Sequence, residues 1–102
     1  MRDLFVDTGA WVAIEDSGDR LHEAALRYKD GLDSDCRLFT TDYVLDETFT
    51  MLLMNGGYGM VVAFKSHIDL IRRGGLLRVV SVTPPLFDEA WLIFERYNRD
   101  KQ

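Results

Sequence analysis

The sequence predicts an α/β fold built on a parallel sheet, and two observations predict it. Leu4-Phe5-Val6 is a short apolar run without alternation, the pattern of a strand covered on both faces. Further along, strand-like runs are separated by stretches of helical periodicity, in the order strand, helix, helix, strand, helix, helix, strand, helix. That alternation is the signature of crossover connections between parallel strands.

The elements follow in order. After Val6 stands Asp7, at the carboxyl end of the first strand, which is the edge where open α/β sheets bind ligands. Thr8 is expected to cap a helix through Gly9-Ala10-Trp11-Val12-Ala13-Ile14. A negative charge beside a helix N-terminus is favoured in its ionised form. Asp16-Ser17-Gly18 forms a turn. Asp19 then caps a second helix from Arg20 to about Leu32, with Leu21, Ala25, Tyr28 and Leu32 on its apolar stripe. Arg37 to Thr40 is a second strand. Thr41 caps a third helix, Asp42 to Met54, which the run Asn55-Gly56-Gly57-Tyr58-Gly59 breaks. A fourth helix covers Met60 to Arg73, with Val61, Phe64, Ile68 and Ile71 on one face, and Gly74-Gly75 ends it. Leu76 to Val82 is a third strand. Thr83-Pro84-Pro85 starts a last helix, from Leu86 to about Asn98, with Phe87, Ala90, Trp91, Phe94 and Tyr97 expected to face inward.

Bulk properties narrow the function. A chain of 102 residues is one domain, and 47% apolar residues suffice for one core. The net charge of −5 excludes a general nucleic-acid coating protein, which would be basic. It leaves room for a nuclease, whose metal site needs acids. The single cysteine, Cys36, allows no internal disulfide and fits a reducing cytoplasm. The N-terminus has no signal-peptide pattern, and no apolar run approaches the ~20 residues that span a bilayer, so no membrane is expected.

Glu47 is the second informative acid. At about 3.6 residues per turn, Leu45, Phe49, Leu52 and Leu53 form a core stripe of the third helix, and Asp42, Asp46 and Thr50 a wet one. Glu47 shares a flank with Tyr43, Met51 and Met54. A glutamate on an apolar flank is costly unless it is paired, solvated or bound to a cation. Because this helix follows directly from the second strand, its first turns lie at the sheet edge that carries Asp7. Two acids there suit a hard divalent cation. Asp46 reads as solvent-facing and Asp42 as a favourable first-turn charge. Thr8 reads as a cap and, beyond that, as a hydroxyl near the metal. His22 and His67 have no partner at metal-ligand spacing and read as surface or structural residues, and Cys36, with no basic cluster to activate it, reads as structural. Glycines 56, 57 and 59 join two helices rather than follow a strand, which argues against a phosphate cradle. Trp11 and Trp91 read as core. Arg72, Arg73 and Arg78 are candidate phosphate contacts, although a helix C-terminal arginine pair is commonly a dipole partner.

Leu4-Phe5-Val6-Asp7-Thr8-Gly9-Ala10-Trp11 resembles the opening motif of PIN domains, and Thr40-Thr41-Asp42-Tyr43-Val44-Leu45-Asp46-Glu47-Thr48 resembles their second motif. The stretch from Phe87 to Tyr97 is similar to the helix that precedes the third. The best match within the family is to VapC-type ribonuclease toxins of toxin–antitoxin pairs. The resemblance implies a three-layer α/β/α PIN-like fold over residues 1–102, shortened at its C-terminus with three strands present. It implies an endoribonuclease dependent on Mg²⁺ or Mn²⁺, with Asp7 and Glu47 as catalytic metal ligands. It also implies an RNA substrate, a cognate antitoxin and a homodimer. The family carries further acids beyond the position of Gln102, so the chain alone is expected to be a weak or inactive nuclease, with an open edge at the first strand that a second copy covers. Two other strand-plus-aspartate families fit less well. Haloacid dehalogenase phosphatases want an aspartate where Gly9 stands, and receiver domains want an upstream acid pair and a late lysine. A degenerate PIN-like module that binds a protein without catalysis is the alternative from another functional class.

Overall fold

The computed structural model describes residues 2–98. Its elements are β1 (Arg2–Phe5), α1 (Thr8–Glu15), α2 (His22–Asp30), β2 (Cys36–Thr41), α3 (Asp42–Gly56), α4 (Tyr58–Arg73), β3 (Leu77–Val80) and α5 (Pro84–Asn98). The strands pair in parallel in the order β1-β2-β3. Parallel neighbours cannot be joined by a hairpin, and the helix pairs α1–α2 and α3–α4 supply the two crossovers.

Register decides what each face carries. Leu4, Leu38 and Leu77 align in one row, and Phe5, Phe39 and Arg78 in the next. Successive rows point to opposite faces. The leucine face is covered by α1, α3 and α4. Its core joins Val6, Trp11, Val12, Leu45, Leu52, Phe64, Ile68 and Leu77. Phe64 is at the centre, in edge-on contact with Trp11 at 5.7 Å and with Phe49 at 5.5 Å. Its helix has the expected face, with Phe64 and Ile68 buried and Val61 and Ile71 half-buried. The bend between α3 and α4 falls on Gly57, whose φ of +83° suits a residue without a Cβ.

Several sequence expectations are corrected. β1 is not covered on both faces, because Phe5 is 47% exposed. Three apolar residues in a row do not reveal which face finds a cover. α2 is shorter than expected and has no buried residue, and Leu21 and Tyr28 of its supposed stripe are exposed. Its N-cap is Leu21, while Asp19 accepts from the Leu21 amide in the preceding turn. Leu53 is exposed, and Thr48 takes the buried place beside Leu45 and Leu52. The largest difference is α5. Phe87, Trp91 and Phe94 are all more than half exposed, so the inward stripe and the core role of Trp91 do not hold. The periodicity of α5 is real, but among the described residues no other element packs closely against it. The side chain of Tyr97 lies outside the described residues. Among the described residues, no helix is long and apolar enough to cross a membrane.

Candidate active site

The site is built from the carboxyl ends of β1 and β2. Val6 continues the β1 ladder by donating its amide to the Phe39 carbonyl at 2.9 Å. Thr40, fully buried, donates its hydroxyl to the Val6 carbonyl at 2.8 Å and accepts the Trp11 indole N–H at 3.3 Å. This buried relay ties the end of β1, the end of β2 and the middle of α1 together. No side-chain polar atom is left buried without a partner among the described residues. The chain leaving β1 therefore has a fixed direction.

Asp7, not Thr8, is the N-cap of α1. Its backbone is extended (φ −93°, ψ 177°), and Oδ1 accepts from the Ala10 amide at 3.0 Å. Both residue types cap well, so composition alone does not choose between them. Thr8 is the first helical residue, and its buried hydroxyl donates to the Val44 carbonyl of α3 at 3.4 Å. The Thr48 hydroxyl donates to the same carbonyl at 2.7 Å. Val44 thus receives one bond from the start of α1 and one from within α3.

On the α3 side, Thr41 is the N-cap as expected, accepting from the Val44 amide at 3.1 Å. Glu47 stands in the second turn, next to Thr48. It is exposed, as are Tyr43, Met51 and Met54 on the same flank. The flank is apolar in composition but open to solvent, so Glu47 bears no burial cost and the energetic argument for its pairing does not hold. What remains is position. Asp7 and Glu47 belong to elements joined by the Thr8–Val44 bond, and both carboxylates reach water.

The other singled-out residues separate clearly. Asp46 is exposed, as expected. Asp42 does more than favour its own helix: Oδ1 accepts from the Tyr43 amide at 2.9 Å and from the Val82 amide at 3.1 Å, which ties the segment after β3 to the start of α3. That role joins positions forty residues apart and leaves no local sequence signal. The ring nitrogen Nδ1 of His22 lies 2.7 Å from the Ala13 carbonyl, and that of His67 lies 2.6 Å from Glu15 Oε1. Each ring thus has a partner on the protein, His67 at the surface and His22 half-buried, in keeping with a surface or structural role. Cys36 is buried and free. Trp11 is in the core. Arg72 and Arg73 close α4, and Arg78 lies on the second face of the sheet.

Exposed carboxylate oxygens are hard donors, and magnesium is commonly held by one or two carboxylates with water and substrate phosphate completing its shell. The donor chemistry of Asp7 and Glu47 fits such a cation. Among the described residues there is no cluster of three or more His, Cys, Asp or Glu side chains able to hold a metal.

Comparison with known proteins follows the same lines. A family model described as PIN domain matches residues 4–101. The 23S rRNA-specific endonuclease VapC20 of Mycobacterium tuberculosis, in strains CDC 1551 / Oshkosh and ATCC 25618 / H37Rv, is 34% identical over 88 residues, which is 86% of this chain. The chain spans 63% of the length of these curated relatives. The crystal structure of Mycobacterium tuberculosis VapC20, described as a Sarcin-Ricin loop cleaving toxin, matches with a TM-score of 0.77 at 31% identity, over 97% of this chain and 72% of that one.

Proposed function

Because the chain belongs to the PIN domain family, we propose that it is a VapC-type endoribonuclease in which Asp7 and Glu47 hold a divalent cation, Mg²⁺ or Mn²⁺. The observation that carries the reading is the Thr8–Val44 hydrogen bond, which joins the start of the helix capped by Asp7 to the helix that bears Glu47. Such an ion, when bound, lowers the pKa of a coordinated water and offsets charge on the phosphate. The protein's own part is positional. Asp7, an exposed residue, is held by its cap bond from the Ala10 amide to Oδ1, which leaves Oδ2 outside that bond. Glu47 is held by a helix whose Thr48 is locked in place one residue on.

The substrate is a structured RNA, by kinship with a relative that acts on 23S rRNA. With a net charge of −5, binding rests on local contacts to phosphate and unpaired bases rather than on overall attraction. A cognate antitoxin, a homodimeric state and a cytoplasmic location complete the reading. The experiment is cleavage of a sarcin–ricin-type RNA hairpin with Mg²⁺ or Mn²⁺ present or chelated. Cleavage that needs the metal and is lost in Asp7→Asn and Glu47→Gln supports the assignment. Cleavage unchanged in both variants removes it.

The absence of a three-donor cluster among the described residues favours a second reading, a non-catalytic PIN module that binds a protein partner. Mn²⁺ titration of the folded chain separates the two. The module shows no binding that depends on Glu47.

A further inference from the structure

The edge of the sheet that carries the candidate site is acidic. Asp7 ends β1, Asp42 opens α3 and Glu47 follows one turn later, and all are exposed. Their carboxylates outnumber the two charges of one divalent ion. The chain as a whole is also negative, at −5. An RNA that reaches this edge brings further negative charge, so contacts that carry no charge must supply part of its affinity. Stacking of a base on an aromatic ring is such a contact, since every base has a π-face.

Tyr43 is placed to provide it. It stands four residues before Glu47 on α3, and residues at that spacing are neighbours on a helix surface. Its side chain is 58% exposed. Helical side chains lean toward the helix N-terminus, so the ring is directed from Glu47 toward the strand ends where α3 begins. The backbone beneath it is fixed. The Tyr43 amide donates to Asp42 Oδ1 at 2.9 Å, and the same oxygen accepts from the Val82 amide. The next residue, Val44, donates its amide to the Thr41 cap and accepts the Thr8 hydroxyl on its carbonyl. Thr8 directly follows Asp7, so one short chain of bonds holds Tyr43, Glu47 and Asp7 on a common frame. A tyrosine on such a frame has only its two side-chain torsions to order, which keeps the entropic cost of a contact low.

We propose that Tyr43 is a specificity-determining residue of the RNA site, whose ring stacks on an unpaired base of the substrate beside the edge that carries Asp7 and Glu47. Bases within a duplex are already stacked on their neighbours and present no free face, whereas a splayed loop base does. The ring therefore selects looped over paired RNA without reading a sequence. The assignment rests on the ribonuclease reading and adds to it the residue that chooses the class of RNA.

The test reads binding rather than cleavage. A fluorescently labelled sarcin–ricin-type RNA hairpin is titrated with the full chain in Mg²⁺ and followed by anisotropy. Tyr43→Phe, which keeps the ring, is expected to bind like the unmodified chain. Tyr43→Leu, which keeps the bulk but not the π-face, is expected to weaken binding about tenfold. Tyr43 is exposed, so both variants keep the fold, as circular dichroism checks. The titration is repeated with hairpins in which each loop nucleotide in turn lacks its base. At one position the missing base is expected to weaken binding to the unmodified chain by the same factor and to add nothing to Tyr43→Leu. A role confined to the fold would not produce that non-additivity. Tyr43→Leu that binds as tightly as the unmodified chain overturns the assignment and leaves the ribonuclease reading standing. Weakening that adds to the effect of every missing base overturns stacking. An unmodified chain that does not bind the hairpin overturns the ribonuclease reading, and the role of Tyr43 with it.

Discussion

Trp11 donates its indole N–H to the hydroxyl of Thr40 at 3.3 Å, deep in the core and twenty-nine residues apart in sequence. Thr40 in turn donates to the Val6 carbonyl, so one hydroxyl serves two buried partners. Valine has the same shape without the oxygen. Thr40→Val therefore leaves the Trp11 N–H and the Val6 carbonyl without that partner. The expected loss is about 1–3 kcal/mol of unfolding free energy, read from the urea midpoint. An unchanged midpoint would mean that water or a repacked neighbour satisfies both groups.

Asp7 has a structural duty and a proposed chemical one, and two substitutions separate them. Asparagine caps a helix about as well as aspartate, so Asp7→Asn keeps the bond to Ala10 and is expected to leave the melting temperature almost unchanged. Asp7→Ala loses the cap and costs about 0.5–2 kcal/mol. Both remove the negative charge, so both are expected to reduce metal-dependent cleavage on the order of a hundredfold or more. Equal melting with unequal cleavage between wild type and Asp7→Asn is the informative result.

Phe64 joins α1, α3 and α4 through its contacts with Trp11 and Phe49, and it is 1% exposed. Truncation there removes an edge-on partner from two rings and opens a cavity beneath the sheet. Phe64→Ala is expected to cost about 3–5 kcal/mol in chemical denaturation, enough to unfold a marginal domain of this size. Phe64→Leu, which fills most of the space, is expected to cost clearly less.

The order of elements, the parallel sheet and the faces of α3 and α4 around Phe64 were legible because their signals are local: apolar runs, helical period, and the caps and glycines between them. Asp7 and Glu47 were legible as exposed acids on adjoining elements, since each follows a strand end by a fixed interval, and their joint hold on a cation belongs to the proposal. Burial of whole faces was not legible. Phe5, Trp91 and the Met51/Met54 flank are all apolar residues in regular elements, and only the arrangement of other elements decides whether they are covered. The same limit applies to Asp42, whose bond to Val82 links two segments with no shared sequence pattern. Asp7 takes the cap in place of Thr8: its Oδ1 accepts from the Ala10 amide, and the helix begins at Thr8 itself.

The Lys65–Asp69 pair on α4 gives a prediction about pH. Lys65 Nζ donates to Asp69 Oδ2 at 2.6 Å, one helical turn apart. That hydrogen bond, the largest effect, holds the Asp69 carboxyl below its ordinary value; desolvation opposes it, and the charges of Lys65, Arg73 and Arg72 reinforce it. A carboxyl whose pKa is lower folded than unfolded binds fewer protons in the folded state. Its contribution to stability is therefore complete above the unfolded value of about 3.9 and fades as pH falls through the folded value. Because the pair lies in water, the contribution is small and salt-sensitive. Titration by NMR is expected to place Asp69 below an unpaired aspartate, and Lys65→Met to bring it back up while the melting temperature at neutral pH barely moves. A carboxyl that titrates at the same pH in both proteins would show that the Lys65 contact does not persist in solution.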